Sequence, residues 1–106
     1  MAAHNELGKE GEKLAIEYLI KKGYEIVEKN YRFQKAEVDI IVRKENIVVA
    51  VEVKTRSSKE FGDPQSFVSP KKIKLLVIAM DHYIVDQDLD VEVRFDIIAI
   101  SKEKNT

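Results

Sequence analysis

The segment IVVAVEVKTR, residues 47–56, is almost wholly aliphatic until Glu52 and Lys54 interrupt it. Its β-branched residues predict a strand, and on a strand the side chains two positions apart point to the same face. The strand therefore carries two opposite charges side by side among valines. Because burying an unpaired charge is costly, these two residues mark the first place to look for a functional site.

Residues 36–43 (AEVDIIVR) form a second predicted strand, and so few residues separate it from the first that the two are expected to form a hairpin. A two-residue turn at Glu45 and Asn46 closes this hairpin, with Asn46 tolerating a positive φ. In that register Asp39 lies opposite Glu52. Two opposed carboxylates repel each other, whereas a divalent cation held between them would turn the repulsion into attraction.

The two faces of this hairpin are expected to differ in character. One face is uniformly aliphatic and should lie on a core: it consists of Val38, Ile40, Val42, Val49, Val51 and Val53. The other face gathers Glu37, Asp39, Glu52 and Lys54 at one end. That acidic end is either a metal site or an ordinary solvated surface on which Glu37 pairs with Lys54 across the strands.

The whole chain is expected to form an α/β fold in the order αβββαβ, with a mixed sheet flanked by two helices. The predicted elements are a helix over 5–22, strands over 24–33, 36–43, 46–56 and 91–100, and a second helix that starts at 69–70. Asn5 is the expected N-cap of the first helix, and Ser69 caps the second, with Pro70 at its first position. Gly8 and Gly11 either permit the close approach of another backbone or mark a frayed first turn.

The composition is typical of a small soluble protein. The 106 residues are expected to form one domain, 1–106, with a polar tail at 101–106; 44% of them are hydrophobic and 35% are charged. A net charge of -1 excludes a strongly basic nucleic-acid coat but leaves room for a local basic patch. The absence of cysteine excludes disulfides and thiolate metal sites. A polar N-terminus and the lack of a long apolar run predict a cytoplasmic protein without a membrane segment.

Several motifs together resemble a known group of proteins. EVDIIV at 37–42 and VEVKTR at 51–56 resemble the PD-(D/E)XK nuclease signature. With GKEGEKLAIEYLIKKGYEIVEKNYR at 8–32 and FGDPQSFVSPKKIKLL at 61–76, the chain resembles the YraN-like family of small bacterial endonuclease-like proteins. That family is similar in turn to archaeal Holliday-junction resolvases. The resemblance implies a restriction-endonuclease-like core and a DNA endonuclease that depends on Mg²⁺, with Mn²⁺ as an alternative ion.

The same resemblance assigns roles to individual residues. Asp39 and Glu52 would be ligands of the catalytic metal, and the backbone carbonyl of Val53 would be a further ligand. Lys54 would orient the attacking water and stabilise charge on the phosphate. Glu12 matches an acidic position that completes the site in the related resolvases, or else it is a solvent-facing charge on the first helix. Branched or damaged DNA is the implied substrate, and a homodimer is the implied assembly.

The expected DNA-binding surface consists of basic residues around the acidic cluster: Arg32, Arg56, Lys59, Lys71, Lys72 and Lys74, with Lys35 nearby. Three of these lysines lie in the first turn of the second helix, where the helix dipole disfavours cations. They either bind an anionic partner such as phosphate or extend into solvent. The loop over 57–68 is expected to close over the substrate. The alternative functions are a DNA-binding module without catalysis and a partner-binding protein.

Overall fold

The structure is a computed structural model that describes residues 2–57 and 69–102. The elements in this part of the chain are α1 (Ala2–Lys21), β1 (Glu25–Phe33), β2 (Ala36–Lys44), β3 (Ile47–Ser57), α2 (Pro70–Asp86) and β4 (Glu92–Lys102). The expected α/β class and the order αβββαβ are confirmed, and every strand boundary lies within two residues of its expected place. The first helix begins at Ala2, so the expected N-cap at Asn5 was wrong. The predicted loop beyond Ser57 lies outside the described residues.

The four strands form one mixed sheet in the order β1-β2-β3-β4. The first three strands form an antiparallel meander, whereas β4 runs parallel to β3. A parallel neighbour requires a crossover connection, and α2 lies in that connection. α1 packs chiefly against β3 on one face of the sheet, and α2 packs chiefly against β2 on the other. The sheet therefore separates two apolar layers.

The hairpin register agrees with the expectation near the turn. Lys44 pairs with Ile47, and the ladder continues with the same register as far as Ile40. The positive φ of the turn is at Glu45, at 54°, and not at Asn46 as expected. In a two-residue turn the first position can take the left-handed conformation, which leaves the asparagine in an ordinary one.

Both faces of the β2–β3 hairpin are buried. Ile40, Val42, Val49 and Val51 pack with α1, whereas Val38, Ile41, Val48 and Ala50 pack with α2. The expected uniform aliphatic face was therefore wrong for Val38, which lies on the opposite face from Ile40. The neighbouring strand β1 is also irregular here, since Asn30 has a φ of 54°. The regular alternation of side chains between the two faces of β2 is therefore interrupted at Asp39, at the charged end of the hairpin.

A close helix–strand contact fixes α1 against the sheet. A Cβ atom added at Gly11 would lie 1.8 Å from Oγ1 of Thr55, so only glycine permits this approach. Gly11 does permit a close approach, but to the side chain of Thr55 and not to another backbone as expected; the side chains before residue 9 are not described. The contact sets the position of the following residue, Glu12, relative to β3. Within the described residues, neither helix is long and apolar enough to cross a membrane.

Candidate metal centre and phosphate-binding cavity

The strands β2 and β3 stop pairing at Ile40 and Val51, and Asp39 lies just beyond this point. Instead of a ladder carbonyl, the Asp39 carboxylate accepts a hydrogen bond from the Val53 amide, at 2.8 Å from N to Oδ2. The expected register had placed Asp39 directly opposite Glu52. That prediction was wrong, because the pairing ends at Ile40 and Val51. The side chain replaces a backbone acceptor, so the strands can separate without leaving the Val53 amide unpaired.

Glu52 is buried, with only 7% of its surface exposed. Its Oε1 accepts a hydrogen bond from Nζ of Lys72 at 2.5 Å and lies 3.7 Å from Nζ of Lys54. Its Oε2 is also buried and has no hydrogen-bond partner among the described residues. Leaving a buried polar atom unsatisfied costs on the order of 1–3 kcal/mol, and more when the group is charged. This unsatisfied carboxylate oxygen is suited to bind a cation.

Asp39 lies in an electrostatic environment that disfavours its charged form. Burial is the main cause of its raised pKa, and the negative charges of Glu52 and Glu12 raise the pKa further. The hydrogen bond from Val53 and the positive charge of Lys72 act in the opposite direction. The influence of Glu12 shows that α1 brings its carboxylate within electrostatic reach of Asp39. A divalent cation at this position would reverse the balance, because it would favour all of the ionised carboxylates.

Lys72 reaches the site from the first turn of α2. Ser69 caps that helix, and its Oγ accepts a hydrogen bond from the Lys72 amide at 3.1 Å. Burial of the ammonium group lowers the Lys72 pKa, but the hydrogen bond and charge of Glu52 outweigh burial, so the pKa is raised. The ammonium therefore stays protonated. The anion that this lysine meets in the described structure is Glu52, so an external anion is not needed to explain its position in the helix.

A cavity of about 360 Å³ opens beside these groups. It is lined by Lys35, Ala36, Glu37, Asp39, Glu52, Ser69, Lys71, Lys72, Leu75 and Leu76. A water molecule occupies about 30 Å³ of liquid, so the cavity has room for a hydrated ion or a phosphate group. A second cavity of about 240 Å³ also touches Glu52, but it is lined mainly by apolar side chains such as Phe95 and Ile97. The chemistry of an ion site fits the first cavity.

The other expected DNA-binding residues are only partly brought together. Lys71 lines the cavity, whereas Lys74 is exposed and does not line it. Arg32 forms an exposed ion pair with Glu37 at 2.7 Å, so the alternative pairing of Glu37 with Lys54 was wrong. Arg56 lies in β3 but its side chain is not described, and Lys59 lies outside the described residues.

The carboxylates present fit a hard divalent cation. The described residues contain no group of three or more His, Cys, Asp or Glu side chains placed to hold a metal ion. Mg²⁺ does not require one, because it keeps several waters and is often bound by one or two carboxylates. Asp39 and Glu52 would supply these carboxylates. The ion would bind the Oε2 atom of Glu52, which has no hydrogen-bond partner among the described residues. The contact seen for Val53 is through its amide, so coordination by its carbonyl stays a prediction.

The Lys72–Glu52 contact is the part of the site that sequence reasoning did not find. Lys72 was expected to bind phosphate because it matches a lysine of the YraN-like pattern, and nothing in its local sequence specifies a partner on β3. The only available signal was the pair Ser69 and Pro70, which fixes the start of α2 and hence the position of the third helical residue. The direction of α2 across the sheet cannot be read from that cap.

Comparisons with known proteins give consistent results. The family model described as "Uncharacterised protein family UPF0102" matches residues 11–100. A UPF0102 protein of Christiangramia forsetii is 65% identical over 104 residues, which is 98% of this chain and 87% of that protein. A UPF0102 protein of Flavobacterium psychrophilum is 64% identical over 104 residues, with the same shares covered. One of Thermodesulfovibrio yellowstonii is 50% identical over 103 residues, covering 96% of this chain and 91% of that protein.

Proposed function

This chain belongs to the UPF0102 family, and we propose that it is a metal-dependent endonuclease of the PD-(D/E)XK type that hydrolyses DNA phosphodiester bonds. One observation carries the proposal. At the point where β2 and β3 separate, the buried Glu52 carboxylate has one oxygen without a hydrogen-bond partner among the described residues and lies beside Asp39. Lys72 pairs only with Oε1, so Oε2 remains available to a divalent cation.

The residues of the site have distinct roles in this proposal. Asp39 and Glu52 hold Mg²⁺ or Mn²⁺, and Glu12 adds negative charge that strengthens the attraction for the ion. The bound ion supplies positive charge to the phosphate and lowers the pKa of the attacking water. Lys54 shares a face of β3 with Glu52, from which it donates to a phosphate oxygen and stabilises the charge that develops there.

DNA is the proposed partner because the cavity beside the carboxylates is also lined by cations. Lys35, Lys71 and Lys72 contribute to its walls. Contacts of this kind position a nucleic-acid backbone without reading its sequence. The substrate is proposed to be branched or damaged DNA on the basis of the similarity to resolvases, and the cytoplasm is the proposed location. Since the net charge is only -1, we expect weak, salt-sensitive binding.

A second candidate function is a DNA-binding module without useful catalysis. The observation that favours it is the ammonium of Lys72 bound to Glu52, which neutralises part of the acidic site. In that case DNA binding would persist in Asp39→Ala and no divalent ion would produce cleavage.

The decisive experiment is a Mg²⁺ titration of thermal stability combined with a cleavage assay on four-way-junction and duplex DNA. The variants are wild type, Asp39→Ala and the matched control Asp81→Ala, which removes an exposed carboxylate from α2. We expect Mg²⁺ to raise the melting temperature and permit cleavage in wild type and Asp81→Ala only. Equal responses in all three proteins would contradict the metal site, and a shift without cleavage on either DNA would favour the binding module.

A homodimer is the proposed assembly, and β4 is the surface that supports it. β4 pairs only with β3 in the described sheet, and Phe95 and Ile97 on it are 43% and 42% exposed. Antiparallel pairing of two copies around Phe95 would place Arg94 opposite the partner subunit's Asp96, so opposite charges would meet twice. Sedimentation velocity should give a dimer for wild type and a monomer for Ile97→Lys. Val85→Lys, at an exposed position on α2, should remain dimeric, and a monomeric wild type would contradict the assembly.

A further inference from the structure

The ion pair between Lys72 and Glu52 joins α2 to β3 across the site. We propose that the Lys72 ammonium is the internal counter-ion of Glu52 in the metal-free protein, held at Oε1 beside the unpaired Oε2, and that a divalent ion bound to this carboxylate displaces it, so that metal binding releases Lys72 to contact a DNA phosphate. This inference rests on the proposed metal site and adds to it an order of events: the metal binds first, and a phosphate-binding cation then becomes available.

The contact itself has the features of a counter-ion. Nζ of Lys72 donates a hydrogen bond to Oε1 of Glu52, and the Glu52 side chain is nearly completely buried. Lys72 also interacts electrostatically with Asp39, so one ammonium group serves both of the proposed metal ligands. The ammonium of Lys72 therefore interacts with the same two carboxylates that would bind a divalent ion.

The ammonium and a divalent ion are incompatible neighbours. Both are positive and both are drawn to the carboxylate of Glu52, where unscreened repulsion between them would be strong because little water separates them. Lys72 is able to leave, since its side chain is 32% exposed and ends on a flexible four-carbon chain beside the cavity. Lys54 lies farther from the same oxygen, at 3.7 Å, and extends from the strand that carries Glu52. It is therefore Lys72 that exchanges.

The exchange couples two binding events. While Lys72 neutralises Glu52, it contributes little positive charge to the cavity; once released, it adds a full charge next to Lys71. Metal and DNA should therefore each strengthen the binding of the other by the same factor, as thermodynamic linkage requires. We expect this coupling to depend on Lys72 and not on Lys71, because Lys71 lines the same cavity without a described contact to Glu52.

The first test measures Mg²⁺ binding by isothermal titration calorimetry, without DNA, in wild type, Lys72→Met and the matched control Lys71→Met. Removing the competing ammonium should increase Mg²⁺ affinity by roughly tenfold or more in Lys72→Met. Lys71→Met removes the same charge from the same helical turn and should change the affinity much less. A weaker or unchanged Mg²⁺ affinity in Lys72→Met would overturn the exchange.

The second test needs no variant of Lys72 and follows the amine directly. Acetylation by a small acylating reagent, quantified at each lysine by mass spectrometry, should be slow at Lys72 in the metal-free protein and several-fold faster with saturating Mg²⁺. Lys71 serves as the internal control and should not change, and Asp39→Ala should show no Mg²⁺ response at either lysine. An unchanged rate at Lys72 while Mg²⁺ is bound would overturn the proposal.

The two tests also separate this inference from the proposed function. If no protein, including Lys72→Met, binds Mg²⁺ in a manner that requires Asp39, then the metal site fails and the exchange fails with it. If wild type binds Mg²⁺ through Asp39 but Lys72 neither competes nor becomes more reactive, then the metal site stands and only the exchange is overturned. Detectable binding in Lys72→Met alone would support both.

Discussion

Replacing Glu52 with leucine should make the metal-free protein more stable while abolishing metal binding. Glu52 lines the apolar cavity together with Val38, Ala50 and Leu76, and its Oε2 has no partner among the described residues. The fold thus holds a charged group in a place that suits an aliphatic one. Glu52→Leu tests whether that arrangement is maintained for function and at the expense of stability.

The magnitude follows from three contributions. The substitution removes one charge-assisted hydrogen bond to Lys72, worth about 1.5–3 kcal/mol. It relieves a buried unsatisfied oxygen, which is worth about 1–3 kcal/mol. It also buries a leucine side chain, which contributes about 1.5–3 kcal/mol. Lys72 and Lys54 both lose their counter-ion, but their side chains are 32% and 23% exposed, so both ammonium groups can reach water. The midpoints of these ranges sum to a net stabilisation of about 2 kcal/mol, within the range of about 1–4 kcal/mol found when apolar residues replace buried ion pairs.

The assay is urea denaturation in the presence of EDTA, followed by circular dichroism. The midpoint should rise in Glu52→Leu with an unchanged slope, and the melting temperature should rise by about 4–8 °C per kcal/mol. Glu17→Leu, at an exposed position on α1, is the matched control and should stay within about 0.5 kcal/mol of wild type. Destabilisation of Glu52→Leu by more than the control would refute the reasoning, since the carboxylate would then be a net source of stability.

The structure supports three further predictions. Gly11→Ala should lower the free energy of unfolding by about 1–2 kcal/mol in chemical denaturation, because its Cβ would collide with Thr55, although alanine favours helices. Combining Gly11→Ala with Thr55→Ala should recover part of the loss. Additive effects of the two substitutions would contradict the contact. The pKa of Asp39 is raised above its ordinary value of 3.8, so its contribution to metal-free stability should be present below pH 3.8 and lost as the pH rises through the raised pKa. Denaturation measured across that pH range should show this loss in wild type but not in Asp39→Asn. The same pH dependence of stability in both proteins would refute the assignment. Ser69→Ala should lower the free energy of unfolding by about 1 kcal/mol through the lost N-cap. It should also weaken the Lys72–Glu52 pair, which would be seen as faster acetylation of Lys72 in the metal-free protein. An unchanged acetylation rate would show that the cap does not position this lysine.

The hairpin could be predicted from the sequence because two independent signals agree there. Runs of β-branched residues on both sides of the connection predict two strands, and the short connection at Glu45 leaves room for a two-residue turn only. The register near the turn was therefore right. It failed at Asp39, where the side chain replaces a backbone acceptor and the strands separate. The irregular Asn30 on the adjacent strand accompanies this change, and no pattern within β2 alone indicates it.

The residues of the candidate site could be named from the sequence, but their connections could not. Asp39 and Glu52 were named from the signature and Glu12 from the similarity to resolvases, and both glutamates act electrostatically on Asp39. The partner of Glu52 was not predictable, because Lys72 is twenty residues away and reaches it only through the packing of α2 on the sheet. Local patterns specify where a helix begins, whereas tertiary packing decides which strand it crosses.

The proposed exchange would allow a protein with a net charge of only -1 to bind a polyanion. In the metal-free state the positive N-terminal end of α2 and the ammonium of Lys72 face the carboxylates of Glu52 and Asp39, so the site is close to neutral. A divalent ion would add two positive charges beside the same carboxylates and would free Lys72. The cavity would then be cationic only when the ion proposed for hydrolysis is present. A permanently basic surface would hold DNA without being able to cut it, whereas a site of the proposed kind would gain its affinity for phosphate together with its metal.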